Sequence, residues 1–534
     1  MPNKKSKKEN QMTKARLSQA LKILREYQTD KQSLDMQVER SEKQWLPVSD
    51  SPAQGTASAW MFNSIAGKHA DAMDSIPEPA VLPRESSDTE SAKELSLILP
   101  VILGNSSFER VWSECWFDKL KYGCGIYGVF WDPDAQRGAG DIRVKRMDIL
   151  NLFWEKGVQD IQDSENLFYV SYISKSRILS RYPHIKESLD LQNRESAGTT
   201  YNESNDRSDK CAVIDWYYKK RVKGRLAVHY CKSVNGIILY ASENDPLYAE
   251  RGYYDHGLYP FVFDPLYTVR HSPCGRSFIE IMSPCQKQID LLEGAISENS
   301  RMAAMRRYFA REASGINEEE FANWQNPIVH YSGSGNPSES VMPIEVPALA
   351  PVYLNMLEYK VNELKETSGN RDFSQGGTSF GVTAASAIEA LQEAGSKLSR
   401  DMLKGSYRVF EEICLMVIEL VRQFYTHPRC FRITEENGVS FRYYDNTSIK
   451  AQPQGVLGDR LPVFDISVKA QKQSPYAKAA LNEMAKSFFE RGFFSPEKRD
   501  QALICLEMMD FEGKDRIVRL ISRGNAPLCE GEGL

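Results

Sequence analysis

The chain has 534 residues, room for three or four modules of about 150 residues each, and its 41% hydrophobic and 10% aromatic content excludes general disorder. Its net charge of −5 excludes a protein that grips nucleic acid by neutralising many phosphates, and leaves one that ignores nucleic acid or handles it without holding it. The ten Cys include no CxxC pair, as expected of a reduced intracellular chain without a zinc ribbon; the basic start MPNKKSKKENQMTK lacks the apolar core of a secretory signal, and no apolar run approaches the ~18 residues of a membrane helix.

Residues 1–11 are Lys-rich and read as disordered, and Leu17, Leu21 and Leu24 then mark an amphipathic helix. After a linker at 50–58, Trp60, Ile65, His69 and Met73 predict a helix that ends at the Pro-rich stretch Ser75–Pro83. Two further helices are expected at 89–103 and 107–122. Beyond Gly123 the period changes to that of strands: Ile126–Trp131, the alternation around Ile142 and Val144, Phe168–Ile173, and Ala212–Lys220 with Arg225–Cys231 about a Lys223–Gly224 turn. Asn235–Gly236 is a second hairpin signal. A short helix before Tyr182–Pro183 and a polar loop at 187–210 complete an α+β region with an antiparallel sheet at 123–265.

The helical period returns at 276–308, where Cys285, Ile289, Leu292 and Ile296 form a stripe, and again at 351–367, with Leu354, Leu357, Val361 and Leu364. Between them, 309–349 reads as irregular or β. A Gly/Ser-rich segment at 368–381 precedes the longest stripe, Thr383–Tyr425, which would span ~65 Å as one helix. Phe464–Ala470 alternates as a strand. Ser474–Pro475 opens a helix that Gly492 closes, and Ser495–Pro496 opens the last helices before an acidic tail.

Catalytic motifs are missing. The sequence has no GxxxxGK[ST], HExxH or GxSxG, and its seven His are far apart. His229 reads as a sheet histidine rather than a base. The acidic run Asp160–Glu165 could bind a hard cation through Asp160 and Asp163, though a solvated loop is the plainer reading, and Glu318–Glu320 reads as a helix first turn facing water. Arg301, Arg306, Arg307 and Arg311 cluster at a helix end; they either complement the helix dipole or contact DNA phosphates or an acidic neighbouring subunit. Gly376, Gly377 and Gly381 lie between helices, the wrong context for a dinucleotide fingerprint, and mark either a passive linker or a moving loop.

The order helix, β-rich insert, second helix, Gly-rich loop, very long helix is unusual, and several segments accompany it in register: Trp60–Ile65 with Ile76–Pro79, Trp116–Leu120 with Gly123–Gly128 and Trp131–Pro133, His256–Phe261 before Pro284–Asp290 and Asn299, Ser368–Gly369 before Thr383–Ala384 and Ala387–Ile388, and Phe464–Gln471 before Ser474–Pro475. In these the chain resembles, over about residues 30–525, the portal or head-to-tail connector proteins of tailed bacteriophages. The resemblance implies an α+β portal-like fold with long stem and wing helices, an antiparallel β-rich wing and clip, and a helical C-terminal crown. The implied segments are an N-terminal arm and helix at 1–50, a wing at 51–275, a stem helix at 276–308, a clip at 309–349, a second stem helix at 350–367, a tunnel loop at 368–382, a long wing helix with return strands at 383–473, and crown helices and tail at 474–534.

It also implies a non-enzymatic structural subunit at the virion's capsid vertex, present in the host cytoplasm during assembly, in a ring of twelve copies with no cofactor and no membrane. Implied partners are double-stranded DNA in transit, the terminase large subunit, the major capsid or scaffolding protein, and a neck or tail adaptor. Arg371, Asp372, Phe373, Ser374, Gln375, Gly376, Gly377 and Phe380 would face DNA, and Arg301, Arg306, Arg307 and Arg311 would make stem and clip contacts. Two other readings remain at this point: a carboxylate- and metal-dependent nuclease or hydrolase, and a non-portal virion adaptor.

Overall fold

A computed structural model describes residues 12–45, 58–185, 210–305, 307–311, 315–323, 325–332, 341–345, 349–369, 397–435, 438–453, 459–470, 485–492, 499–507, 517–518 and 521. The fold is α+β. Its helices are α1 (Lys14–Trp45), α2 (Trp60–Met73), α3 (Thr89–Asn105), α4 (Phe108–Tyr122), α5 (Lys175–Arg181), α6 (Phe278–Ala304), α7 (Glu318–Ala322), α8 (Pro351–Ser368), α9 (Lys397–Phe424) and α10 (Arg499–Glu507). The strands are β1 (Pro77–Pro83), β2 (Cys124–Asp132), β3 (Asp141–Arg146), β4 (Leu152–Trp154), β5 (Asn166–Ser174), β6 (Lys210–Val222), β7 (Arg225–Val234), β8 (Ile237–Ala241), β9 (Phe261–Pro265), β10 (Tyr267–Thr268), β11 (Gly275–Arg276), β12 (Arg307–Ala310), β13 (Val341–Ile344), β14 (Arg429–Glu435), β15 (Gly438–Tyr444), β16 (Gln452–Pro453), β17 (Asp459–Arg460) and β18 (Phe464–Ala470). Two compact units divide the chain: one takes Met1–Val38, Lys68–Ser277 and Ser399–Leu534, the other Glu39–Gly67 and Phe278–Leu398.

In the first unit a three-stranded sheet, β3-β2-β9, and a five-stranded antiparallel sheet, β4-β5-β6-β7-β8, carry the core. The two expected hairpin turns form with left-handed φ at both central residues, Lys223 (51°) with Gly224 (84°) and Asn235 (47°) with Gly236 (75°); this geometry matches the twist of the flanking strands. The N-terminal part of α1 lays Ala20, Leu24 and Tyr27 on Phe168, Trp216 and Tyr218 of the larger sheet. Gly123 ends α4 at φ +86°, where a Cβ would sit 2.2 Å from the Gly275 carbonyl oxygen, so only glycine serves there.

The Pro-rich stretch Ser75–Pro83 follows the end of α2 at Met73, as expected, but its prolines also build a strand, which was not expected. β1 pairs antiparallel with β18 from Pro77↔Ala470 to Pro83↔Phe464. Val81 N donates to Ser96 Oγ at 2.9 Å, away from β18. Pro77, Pro79 and Pro83 share the parity of Val81, so the N–H groups they lack are not ones the ladder needs. A second departure is at α6, which stops at Ala304 rather than 308, because Arg307–Ala310 already belongs to β12.

α9 is the described part of the long predicted helix; 383–396 lies outside the described residues. It buries Val409, Phe410, Ile413, Val417, Leu420 and Val421. Two turns apart on it, Ser399 and Ser406 each sit between a buried Lys and an Asp. Lys68 Nζ donates to Ser399 Oγ at 2.9 Å, and that hydroxyl donates to Asp71 at 2.5 Å. Lys119 Nζ donates to Ser406 Oγ and to Asp264 at 2.7 Å each, and the Ser406 hydroxyl donates to Asp264 at 2.5 Å. Toward the C-terminus, 485–490 is helical and Gly492 closes it with φ +70°; Ser474–Pro475 and Ser495–Pro496 lie outside the described residues. Among the described residues no helix is long and apolar enough to cross a membrane.

Candidate functional site

The second unit differs in kind. α6 buries Phe278, Ile279, Met282, Gln286 and Ile289, all in its first half, and α8 buries only Leu364 and Ser368, at its end. The two helices touch where the Cys285 thiol donates to the Lys360 carbonyl at 3.2 Å. Gln286 secures the base: its Oε1 accepts from Met61 N at 3.2 Å and its Nε2 donates to Ser58 and Asp290. Beyond this point burial ceases. Between Ile289 and Leu364 none of the described residues is buried.

The segment is nevertheless rich in apolar groups. Of the 27 large apolar side chains exposed among the described residues, 14 lie from Ile281 to Tyr359, a concentration too dense to be chance surface scatter. Leu291, Met305, Phe309, Ile328, Met342, Val352 and Tyr359 are each more than 60% exposed. Full burial of one such side chain contributes ~1.5–3 kcal/mol. Covering the exposed apolar groups of this segment would contribute on the order of tens of kcal/mol that the described residues do not realise.

At the far end, β12 and β13 form a two-stranded ribbon with the pairs Arg307↔Ile344, Tyr308↔Pro343 and Phe309↔Met342. α7 packs on it edge-to-face through Phe321 and Tyr308, with ring centroids 5.1 Å apart. Asn317 caps α7, accepting from Glu320 N at 3.3 Å, and Glu320 accepts from both the backbone N and Nδ1 of His330 at 2.8 Å. Those bonds draw the Glu320 carboxyl below its ordinary range. Glu318 and Glu319 are exposed in the first turn, as expected from sequence.

The predicted basic residues are only partly gathered. Arg301 is exposed in the last turn of α6 and lies 4.0 Å from Glu298; Arg307 starts β12; Arg311 is exposed one residue past it. Arg306 lies outside the described residues, as do Arg371, Asp372, Phe373, Ser374, Gln375, Gly376, Gly377 and Phe380.

The carboxylates of the hydrolase reading are placed otherwise. Asp160 caps the short helical turn Ile161–Asp163 by accepting from Gln162 N at 2.8 Å, and Asp163 points to solvent. Gln162 ties this loop to Tyr259, accepting from its N–H at 2.8 Å and donating to its carbonyl at 3.1 Å. A cavity of about 480 Å³ adjoins Asp160 and is lined also by His256, Glu412 and Glu419. Glu419 is paired with Arg422 at 2.5 Å, and His256 Nδ1 accepts from Leu258 N. Among the described residues no three His, Cys, Asp or Glu side chains gather to hold a metal ion. His229 is fully buried, with Nδ1 3.1 Å from Ser242 Oγ and its pKa lowered by burial.

The described site is thus an exposed apolar surface rather than a catalytic cleft. A family model, described as phage P22-like portal protein, matches residues 69–255 and 277–530, most of the chain. The chain belongs to that family. No curated protein matches it significantly. In this phage portal protein, the segment from α6 through the ribbon to α8 carries more than half of the large apolar side chains exposed among the described residues. Beside the Leu354, Leu357, Val361, Leu364 stripe, α8 also exposes Val352, Tyr353, Met356 and Tyr359. Apolar residues on nearly every side of a helix require more than one partner.

Proposed function

We propose that the chain is one copy of a closed ring, twelve subunits by family resemblance, that forms the channel through which double-stranded DNA enters and leaves the phage head. One observation supports this above others: between Ile289 and Leu364 the described residues bury nothing although many are large and apolar. A heterologous contact that closes by rotation supplies each copy with two neighbours and covers such a surface. In this reading α6 and α8 are the stem helices, the segment between them, with the β12–β13 ribbon, is the clip, 51–275 with 383–473 is the wing, and 474–534 is the crown.

The loop 368–382, with Arg371, Asp372 and Phe373 through Gly377 and Phe380, faces the DNA. Its single Arg beside an Asp in a Gly-rich setting touches phosphates without holding them, and a net charge of −5 per chain keeps the wall from trapping a polyanion. With no P-loop, the ring takes its driving force from a separate motor, the terminase large subunit, and afterwards docks a neck or tail adaptor at the capsid vertex. The ring also contacts the major capsid or scaffolding protein during assembly in the host cytoplasm.

Negative-stain images and native mass of the purified protein test the ring: closed rings with a central channel are expected, and a stable monomer at high concentration contradicts the reading. Deleting 370–380 should leave rings intact and abolish DNA packaging. Packaging that survives the deletion removes the loop from the channel.

A further inference from the structure

The ribbon and α7 form a body with two unlike sides. Cross-strand partners in an antiparallel pair share a face, and successive residues alternate. Tyr308, with its partner Pro343, lies on the side that α7 covers through Phe321. Arg307, Phe309, Met342 and Ile344 therefore lie on the opposite side, where Ile344 is part-buried while Phe309 is 64% and Met342 68% exposed. Arg311 follows at the strand's end. The α7 side carries the exposed Glu318 and Glu319, and next to His330, which α7 binds, are Ile328 and Val329, 67% and 42% exposed. One side is basic and apolar, the other acidic and apolar.

We infer that the Arg307–Phe309–Met342 face of one copy receives the α7 side of the next copy, with Arg307 and Arg311 meeting Glu318 and Glu319 across the seam. This rests on the ring reading and specifies its partner. The occupant is a second copy because the two sides complement each other in charge and both carry uncovered apolar groups. A two-fold contact would set like beside like, Arg307 against Arg311 or Glu318 against Glu319, which repels. DNA is a poorer occupant of the basic face, because phosphates leave Phe309 and Met342 in water. Each copy has one side of each kind, so the contact runs head to tail and is satisfied when the ring closes.

Charge reversal in the full-length protein tests the seam, with assembly read by native mass and negative-stain imaging. Arg307→Glu with Arg311→Glu, or Glu318→Lys with Glu319→Lys, should each raise the concentration needed for assembly roughly tenfold or more, and the four changes together should restore it. Wild-type rings whose formation neither reversal weakens overturn this contact while leaving the ring standing; no wild-type ring overturns both. A chain carrying Arg307→Cys and Glu319→Cys, assembled and mildly oxidised, should give a covalent ladder extending beyond dimers, while either single variant should not. Monomer alone from the double variant, or failure of the four-fold reversal to assemble when both two-fold reversals are folded, overturns the pairing.

Discussion

Phe410 and Tyr359 are both aromatic residues on striped helices, yet Phe410 on α9 is 0% exposed and Tyr359 on α8 is 62% exposed. Phe410 is enclosed by side chains of its own unit, with Phe108 at 5.3 Å and Trp112 at 6.5 Å between ring centroids. Tyr359 lies in a segment where no described residue is buried. An apolar pattern thus says that a face must be covered and does not say by which chain. In the first unit the cover is intramolecular; along α6 and α8 we assign it to neighbouring copies.

The sharpest way to break the contrast is to truncate one aromatic of each kind. Phe410→Ala should destabilise the isolated chain by ~3–5 kcal/mol in denaturant unfolding. Tyr359→Ala should change that unfolding by no more than about 0.5 kcal/mol and should instead raise the protein concentration at which rings form. Equal losses of stability from both would erase the distinction.

Next in size is the buried ion pair under α9. Lys119 and Asp264 are 1% and 2% exposed in their side chains. Lys119→Met leaves Asp264 without its cation and should cost about 3 kcal/mol, the low end for a broken buried pair because Ser406 still donates to the carboxylate. Adding Asp264→Leu should recover part of that loss, and a double variant less stable than the single one would show that the pair does more than cancel its own desolvation.

The pH dependence of the first unit follows. Burial pushes His256 down to about 4. Between pH 6.5 and 4 the unfolded chain takes up a proton that the folded one refuses. The stability contributed is therefore present above pH 6.5 and lost as pH falls toward 4, by up to about 3 kcal/mol. His256→Gln should flatten this part of the unfolding profile, while a profile of unchanged slope would remove His256 as its source. Smallest is the exposed pair Arg84–Asp465 at 2.7 Å. Arg84→Ala should leave the unfolding midpoint nearly unchanged, and more nearly so in high salt.

Much of the first unit was legible in its residues. The turns at Lys223–Gly224 and Asn235–Gly236, the stripe from Val409 to Leu420 and the alternation of Phe464–Ala470 each carry a local physical signature. The Pro77, Pro79, Pro83 strand was not, because proline removes the donor that strand reading depends on, and only the pairing with β18 shows that those donors are dispensable. The candidate site was half legible: the arginines and the Glu318–Glu320 turn were visible as charge, but their segregation to opposite sides depends on the β12–β13 register and on Phe321 meeting Tyr308. Neither is a property of a short sequence window. The helix pair is legible in its stripes, while the surplus apolar groups around α8 leave the helical period unchanged and so mark no second face by periodicity alone.

Hydrogen exchange on the same preparation, assembled and dissociated, tests the central claim most directly. Amides of 290–304 and 351–363 should be weakly protected in the free chain and strongly protected after assembly, while those of β2, β6 and α9 barely change. Strong protection of 290–304 and 351–363 in a dispersed monomer, or no gain on assembly, would contradict a segment that finds its core only in neighbouring copies.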